Sequence, residues 1–419
     1  MSNQDALIIL KRLRSAGYEA YFAGGCVRDL LMGQTPKDYD VATNAPPNQV
    51  RGLFKNTQAV GAAFGVILVR EGSSTIEVAT FRTDMEYEDG RHPTGVKFAT
   101  AQEDAQRRDF TINGLFLDPV ENRIIDYVGG QADLAAKKLR AIGNADARFA
   151  EDHLRMLRAV RFASRLGFEI DSATSTAIES HAHELIRISP ERIAEELRKM
   201  LLPITRMQAY RLLRQLGFIP ILMRYSAITG PGRSDGPIDL FLALESPAIS
   251  FGLALAAMRL DYRMNISGQH DPRHWLTIAE VTRAVNAMRQ TFKISNDESN
   301  ELVGSMSFLK LLEDTPPSVA TLKRFLNQPH SDDATRLMTA MAKCDLRREQ
   351  IQAVLNSLDQ YRNTEFAPIP LITGDDLTSA GASPGPKFKP ALDAAYDAQL
   401  EGRISTKDQA MKMAMQVLR

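Results

Sequence analysis

The spacing of hydrophobic positions changes near residue 140, and the change separates two kinds of structure. Upstream, short runs rich in β-branched and aromatic residues alternate with glycine and polar punctuation: Glu19-Ala20-Tyr21-Phe22-Ala23, then residues 39–43, 65–70 and 75–81. Such runs predict strands, and Glu71-Gly72-Ser73-Ser74 between the last two predicts a hairpin. Downstream, apolar residues recur at helical spacing. Residues 151–162 hold no Gly or Pro and carry the apolar series Leu154, Leu157, Val160 and Phe162, which predicts one continuous helix. Further helices are predicted over 197–216, 239–262, 273–291, 296–313, 317–327, 332–343, 346–361 and about 390–418. Polar, Gly/Pro-punctuated loops are expected at 84–95 and 227–237. The fold class is therefore α+β: a head with a mixed sheet over residues 1–140, followed by an all-α neck (141–205), body (206–365) and tail (366–419).

The strand region carries candidate chemistry. Asp38 and Asp40 stand at i and i+2 where a strand is predicted, so both carboxylates are expected on one face. Magnesium takes a few carboxylate oxygens and completes its shell with water and substrate phosphate, so such a pair suits one or two ions in phosphoryl transfer. Gly24-Gly25 follows the first strand and permits a tight turn before a helix beginning near Val27. Free N–H groups at that helix start, with Arg28 about one turn in, suit an anionic triphosphate. Taken singly, an Asp-X-Asp is usually a solvated turn and a Gly-Gly usually only a turn; their spacing joins them.

Other polar residues extend the picture. Arg107 and Arg108 supply cations for phosphate, while Asp109 and Asn113 are suited either to orient a guanidinium or to accept a ribose hydroxyl. Asp152, Arg155, Arg158 and Arg161 recur every third residue, a stripe that drifts slowly around the predicted helix. Glu77 lies in an otherwise apolar run, either as a third carboxylate near the metals or as a strand residue facing solvent.

Four ordered blocks in the first 200 residues resemble the class II nucleotidyltransferases of the polymerase β superfamily, which comprise tRNA CCA-adding enzymes and bacterial poly(A) polymerases. The blocks are Gly24-Gly25-Cys26-Val27-Arg28-Asp29-Leu30-Leu31 with Asp38-Tyr39-Asp40; Arg107-Arg108-Asp109-Phe110-Thr111-Ile112-Asn113; Glu151-Asp152-His153-Leu154-Arg155-Met156-Leu157-Arg158-Ala159-Val160-Arg161-Phe162; and Ser189-Pro190-Glu191-Arg192-Ile193 with Glu196-Leu197. The resemblance implies a polymerase β-like head in which Asp38 and Asp40 are catalytic and bind Mg2+. It places Gly24, Gly25, Arg28, Arg108, Asp109 and Asn113 at the nucleotide, and gives base selection to Asp152 and Arg155. An Asp accepts from an exocyclic amino group and an Arg donates to a ring acceptor, so this pair can take adenine and cytosine while rejecting guanine and uracil. Arg158 and Arg161 then reach phosphate or support that template.

The same resemblance makes the 84–95 loop similar to the flexible loop tied to adding the final adenosine, which argues against a CC-only enzyme. It likens the tail to one that grips tRNA. The expected function is template-independent addition of CCA to the tRNA 3′ end from CTP and ATP, with release of pyrophosphate. An A-adding specialist and a bacterial poly(A) polymerase share the head motifs, although the strongly basic extension common in the latter is missing. A non-catalytic tRNA-binding protein is a rival from a different class, against which the intact Asp38 and Asp40 argue.

Composition changes this little. The 419-residue chain is 44% hydrophobic with a net charge of zero, so an RNA partner must be met by local basic stripes; residues 137–165 hold eight Lys/Arg against three Asp/Glu. Cys26 and Cys344 lie far apart, without metal-ligand spacing, and no disulfide framework is expected, as suits a reducing cytosol. His181-Ala182-His183 does not place two ligands on one helix face. No signal segment or membrane-length apolar run is seen, so the expectation is a cytoplasmic protein with no membrane association and no obligate protein partner.

Overall fold

The period-two runs assemble into a seven-stranded mixed sheet in the computed structural model, which describes residues 3–61, 64–85, 95–223, 239–267, 278–313 and 316–418. Its strands are β1 (Ala20–Ala23), β2 (Asp40–Thr43), β3 (Thr57–Gly61), β4 (Val66–Glu71) and β5 (Ser74–Thr80). A separate hairpin, β6 (Arg82–Asp84) with β7 (Val96–Phe98), comes before β8 (Phe116–Asp118) and β9 (Arg123–Ile125). The large sheet has the order β3-β4-β5-β2-β1-β8-β9. Its central β2–β5 pair is parallel, with Val41 opposite Val78, and the other neighbours are antiparallel. The expected 65–81 hairpin is β4–β5. Most of the predicted 84–95 loop, and all of the 227–237 loop, lie outside the described residues.

Strand alternation determines what each face of the sheet does. Phe22, Val41, Ile67, Val69, Ile76 and Val78 point to one face, where α1 (Asn3–Ser15), α2 (Gly25–Leu31) and α3 (Pro47–Leu53) cover them with Ile9, Leu10, Leu13, Val27 and Val50. Each such side chain contributes about 1.5–3 kcal/mol by leaving water. The alternate positions Ala23 and Ala42 face the other way and join Phe81, Phe116 and the Ala101 and Ala105 side chains of α4 (Ala101–Gln106). Small residues there leave room above the sheet.

Helices follow: α5 (Gly130–Ala135), α6 (Ala145–Glu151), α7 (Leu154–Leu166), α8 (Ser172–His181) and α9 (Pro190–Leu201). The continuous helix expected over 151–162 is two, because Asp152 is extended (φ −144°, ψ 103°) and its carboxylate accepts from the Leu154 N–H at 3.1 Å. A local bond from an aspartate side chain to the backbone two residues on breaks a helix without any Gly or Pro. The helix expected over 197–216 also divides, into α9 and Arg206–Gln215, with Pro203 in the break.

The chain forms two compact units: Met1–Met200 with Arg211–Ile221, and Leu201–Tyr210 with Leu222–Arg419. The second unit is helical. The helix expected from 239 begins only at Phe251 and runs to Ser267, packing on Asn296–Ser305 and Ser331–Lys343. Its Asp261 is buried and accepts from Tyr210 Oη and the Leu240 N–H at 2.5 and 2.7 Å. The expected 390–418 helix is also two, Phe388–Leu400 and Lys407–Leu418, parted by Gly402 at φ +72°. These pack a small core of their own through Leu377, Ala391, Ala395, Ala410 and Ala414. Among the described residues no helix is long and apolar enough to cross a membrane.

Candidate active site

A cleft of about 480 Å³ opens above the small-residue face of the sheet, floored by Ala23, Ala42, Val66 and Ala79. Asp40 and Glu77 line it together. They meet because β2 and β5 are parallel neighbours: Val41 pairs with Val78, so the residues one step earlier are brought side by side. On β5 the apolar Ile76 and Val78 point to the opposite, covered face, which leaves Glu77 exposed on the cleft face. Burial, the Glu77 charge and, to a smaller extent, Asp38 push the Asp40 carboxyl up to about 6 against the lowering pull of Arg108. Asp38 itself is exposed, lies before β2 begins, and is not among the residues lining the cleft. Asp38 still acts on Asp40 through its charge, and the carboxylate with the larger effect on Asp40 is Glu77, from another strand.

The nucleotide-sized space also faces a wall of guanidiniums. Arg28, Arg82, Arg107, Arg108, Arg155, Arg158 and Arg192 line the cleft, seven cations against the carboxylates of Asp40, Glu77, Asp109 and Asp152. Most are held rigidly. Arg28, buried on α2, donates to Asp29 Oδ1 (2.9 and 2.6 Å) and to Asn113 Oδ1 (2.7 Å). Arg108 donates to Asp104 Oδ2 and to the Asn113 carbonyl, and lies over the Phe116 ring. Asp104 also pairs with Arg107, and although burial opposes its charge, Arg108 and Arg107 hold its carboxyl below the usual range.

Asp109 takes the first of its two expected roles. Its Oδ2 accepts from Arg158 Nε and Nη2 at 2.9 and 2.6 Å, while Oδ1 accepts from the Phe110 N–H and Asn113 Nδ2. Burial alone would raise this carboxyl, yet Arg158 and Asn113 hold it down at about 2. Phe162 is the hub of the wall: the guanidiniums of Arg28, Arg158 and Arg161 lie 5.4, 5.4 and 4.5 Å from its centroid. Arg161, expected to reach phosphate or support the template, pairs with Glu196 at 2.7 Å and is not itself a lining residue.

The helix break sets the far end of the cleft. Asp152 sits in the break, held by Arg192 Nη2 at 3.0 Å, and Arg155 sits on the first turn of α7, held by Glu151 and the Arg148 carbonyl. The two side chains keep separate partners, so each presents an edge to the cleft in place of neutralising the other. Gly24 closes the opposite end. Its φ is +70°, and a Cβ there would lie 2.9 Å from Arg108 Nη1.

Among the anticipated residues the fold thus brings Gly24, Gly25, Arg28, Asp40, Arg108, Asp109, Asn113, Asp152, Arg155 and Arg158 to one cleft, and leaves Asp38 and Arg161 off its lining. Arg107, read as a cation for phosphate, also lines the cleft; Arg82 and Arg192 were missed as site residues, and Glu151 as the holder of Arg155. Arg192 and Glu151 stand inside recognised blocks, so their partners were available as a signal; Arg82 carries none.

Residues 20–140 match the family model for the poly A polymerase head domain, and residues 167–227 match the model described as a probable RNA and SrmB-binding site of polymerase A. The chain is 43% identical to poly(A) polymerase I of Salmonella typhi, over 80% of this chain and 75% of that protein. It is 33% identical to a CCA-adding enzyme of Lacticaseibacillus paracasei, over 95% of this chain and 91% of that one. The chain belongs to the tRNA nucleotidyltransferase and poly(A) polymerase family. Other curated CCA-adding enzymes match it at 46% identity, and the chain spans about half their length. The crystal structure of a Bacillus stearothermophilus CCA-adding enzyme in complex with CTP superposes with a TM-score of 0.68 at 28% identity, covering 99% of this chain and 98% of that one. The fold of this family member, a mixed-sheet head followed by helices, is the one its motifs imply.

Proposed function

We propose that this protein is a template-independent nucleotidyltransferase that adds CCA to the 3′ end of tRNA from CTP and ATP, releasing pyrophosphate. The observation that carries the reading is the cleft itself: one carboxylate pair, Asp40 with Glu77, faces seven arginines and a separately held Asp152 and Arg155. The excess of cations suits a triphosphate. Arg28, Arg108 and Arg158, each fixed by an acid or amide, orient it. Asp152 accepts an exocyclic amino group and Arg155 donates to the neighbouring ring acceptor, a pattern common to adenine and cytosine.

Magnesium fits the carboxylates. No described residue donates a hydrogen bond to the Asp40 or Glu77 carboxylate, and burial together with the Glu77 charge raises the Asp40 carboxyl, a penalty that a cation relieves. Among the described residues no three ligand-type side chains are grouped to enclose an ion; magnesium completes its shell with water and phosphate oxygens. Asp40 and Glu77 would hold it, with Asp38 nearby, and once bound it lowers the pKa of the RNA 3′ hydroxyl and neutralises phosphate charge. Such a reaction, drawing on ATP, CTP and tRNA, belongs in the cytoplasm.

The 43% identity to a poly(A) polymerase I favours a second reading, in which ATP alone is added repeatedly to many RNAs. One gel assay separates them: purified protein with magnesium and tRNA transcripts ending before CCA, after C and after CC, each given CTP, ATP or both. Addition of C, C and A followed by arrest is the expected result. Long tails from ATP alone identify a poly(A) polymerase, extension of only the CC-ended tRNA identifies an A-adding specialist, and no transfer refutes the catalytic reading.

A further inference from the structure

Phe64 and Phe98 are exposed at 39% and 48%, unusual for phenylalanines that stand beside a polar cleft. They occupy one neighbourhood. A Cβ placed on Gly65 would lie 3.5 Å from Phe98 Cε1, and Arg82 donates to the Phe64 carbonyl. Arg82 is paired directly across from Phe98 in the β6–β7 ladder. Directly opposed residues of an antiparallel ladder share a face, so Phe98 lies on the same face as Arg82, which lines the cleft. Phe64 leads into β4, whose first residue Val66 lines the cleft and whose Leu68 pairs with Glu77. Phe64 thus leads into the strand next to β5, which carries Glu77, and Phe98 ends the hairpin strand opposite Arg82; neither ring is on the helices that carry Asp152 and Arg155.

We propose that Phe64 and Phe98 form a stacking platform for the last unpaired base of the RNA acceptor strand, holding its 3′ hydroxyl toward Asp40 and Glu77. The proposal rests on the nucleotidyl-transfer reading above. An attacking RNA end needs its terminal hydroxyl at the carboxylates while its own base stays out of the incoming nucleotide's seat. Aromatic faces hold unstacked bases of any identity, which suits an end that changes from one addition to the next. Arg82, on the same face as Phe98, is held by Asp84 and the Phe64 carbonyl and so fixes the neighbourhood of both rings. Two half-exposed rings are too small for a stable protein interface, which takes about 800 Å² per partner, but match one or two bases.

The test compares the full-length wild type with Phe64→Ala, Phe98→Ala, the double variant and Phe98→Tyr, using a tRNA transcript ending in CC. Each alanine should raise KM for RNA about tenfold at saturating ATP, leaving KM for ATP within about twofold, while the tyrosine, which keeps the ring, behaves as wild type. A transcript with 2-aminopurine as its 3′-terminal base should be quenched on binding wild type without nucleotide, and less so on binding the double variant. If wild type transfers nucleotide but the double variant matches it in RNA KM and quenching, the platform is overturned and the functional reading stands. An equal rise in both KM values, shared by Phe98→Tyr, also overturns it by showing a structural effect. Absence of transfer by wild type itself sinks the functional reading.

Discussion

Replacing Asp40 by asparagine should make the metal-free protein more stable while abolishing nucleotide transfer. In the folded state burial, Glu77 and Asp38 push the Asp40 carboxyl from an ordinary 3.8 up to about 6. A carboxyl raised on folding binds its proton more tightly in the native state, so it adds nothing below pH 3.8, loses stability as pH rises through the interval, and carries the full penalty above about 6. Two such pH units correspond to about 3 kcal/mol. For a unit of this size that is a rise of about 6–12 °C in thermal midpoint for Asp40→Asn. The assay is thermal unfolding in chelator at a series of pH values between about 4 and 8, followed by two probes because the chain has two compact units. The gap between variant and wild type should be near zero at the acid end, grow to about pH 6 and then level off. Magnesium at 100 times its Kd should then add about 2.7 kcal/mol to wild type and little to the variant. A variant no more stable than wild type at neutral pH, or a gap that ignores pH over this range, refutes the argument that the Asp40–Glu77 site stores unfavourable charge for a cation.

Asp109→Asn should have the opposite sign: a carboxyl held at about 2 stabilises the fold at every pH above its ordinary value, and losing it costs about 2 kcal/mol. That loss should be constant between about pH 5 and 8 in denaturant titrations, since the contribution fades only as pH falls through the carboxylate range toward 2. Arg192→Ala frees the Asp152 carboxylate from its partner at 3.0 Å, and should lower the preference for ATP over GTP by about tenfold in kcat/KM, with little change in RNA binding. Gly24→Ala places a Cβ 2.9 Å from Arg108 Nη1 at a positive φ. It should cost about 1–2 kcal/mol of stability and raise KM for the nucleoside triphosphates, as read by melting and by steady-state kinetics.

Much of this architecture could be read along the chain. The period-two runs became β1, β2, β4 and β5 with bounds shifted by a residue or so, and the change to helical spacing marks where the sheet ends. Gly24, Asp40 and most of the arginines were legible as well, because a turn needing a positive φ and a cluster of charges in a helical block are local signals. Three features were not. Asp38 precedes β2 and is not a lining residue, and Glu77, for which the sequence left open a third carboxylate or a solvent-facing residue, stands beside Asp40 because β2 and β5 pair in parallel. Strand pairing is set by burial of Val41 and Val78 on one face, across a separation that no local window contains. The break at Asp152 depends on its side chain accepting from the Leu154 N–H two residues on, where propensity alone favoured continuity.

Residue types and periods thus determined by themselves which segments are strands or helices and that the chain holds acids, glycines and arginines fit for phosphoryl transfer. Which acid meets which guanidinium was decided only by tertiary structure. Arg158 went to Asp109, Arg28 to Asn113 and Asp29, Asp152 to Arg192, and Arg161 away from the cleft to Glu196. Periodicity arises from contacts a few residues apart, whereas a charge finds its partner through the three-dimensional packing that first removes both from water.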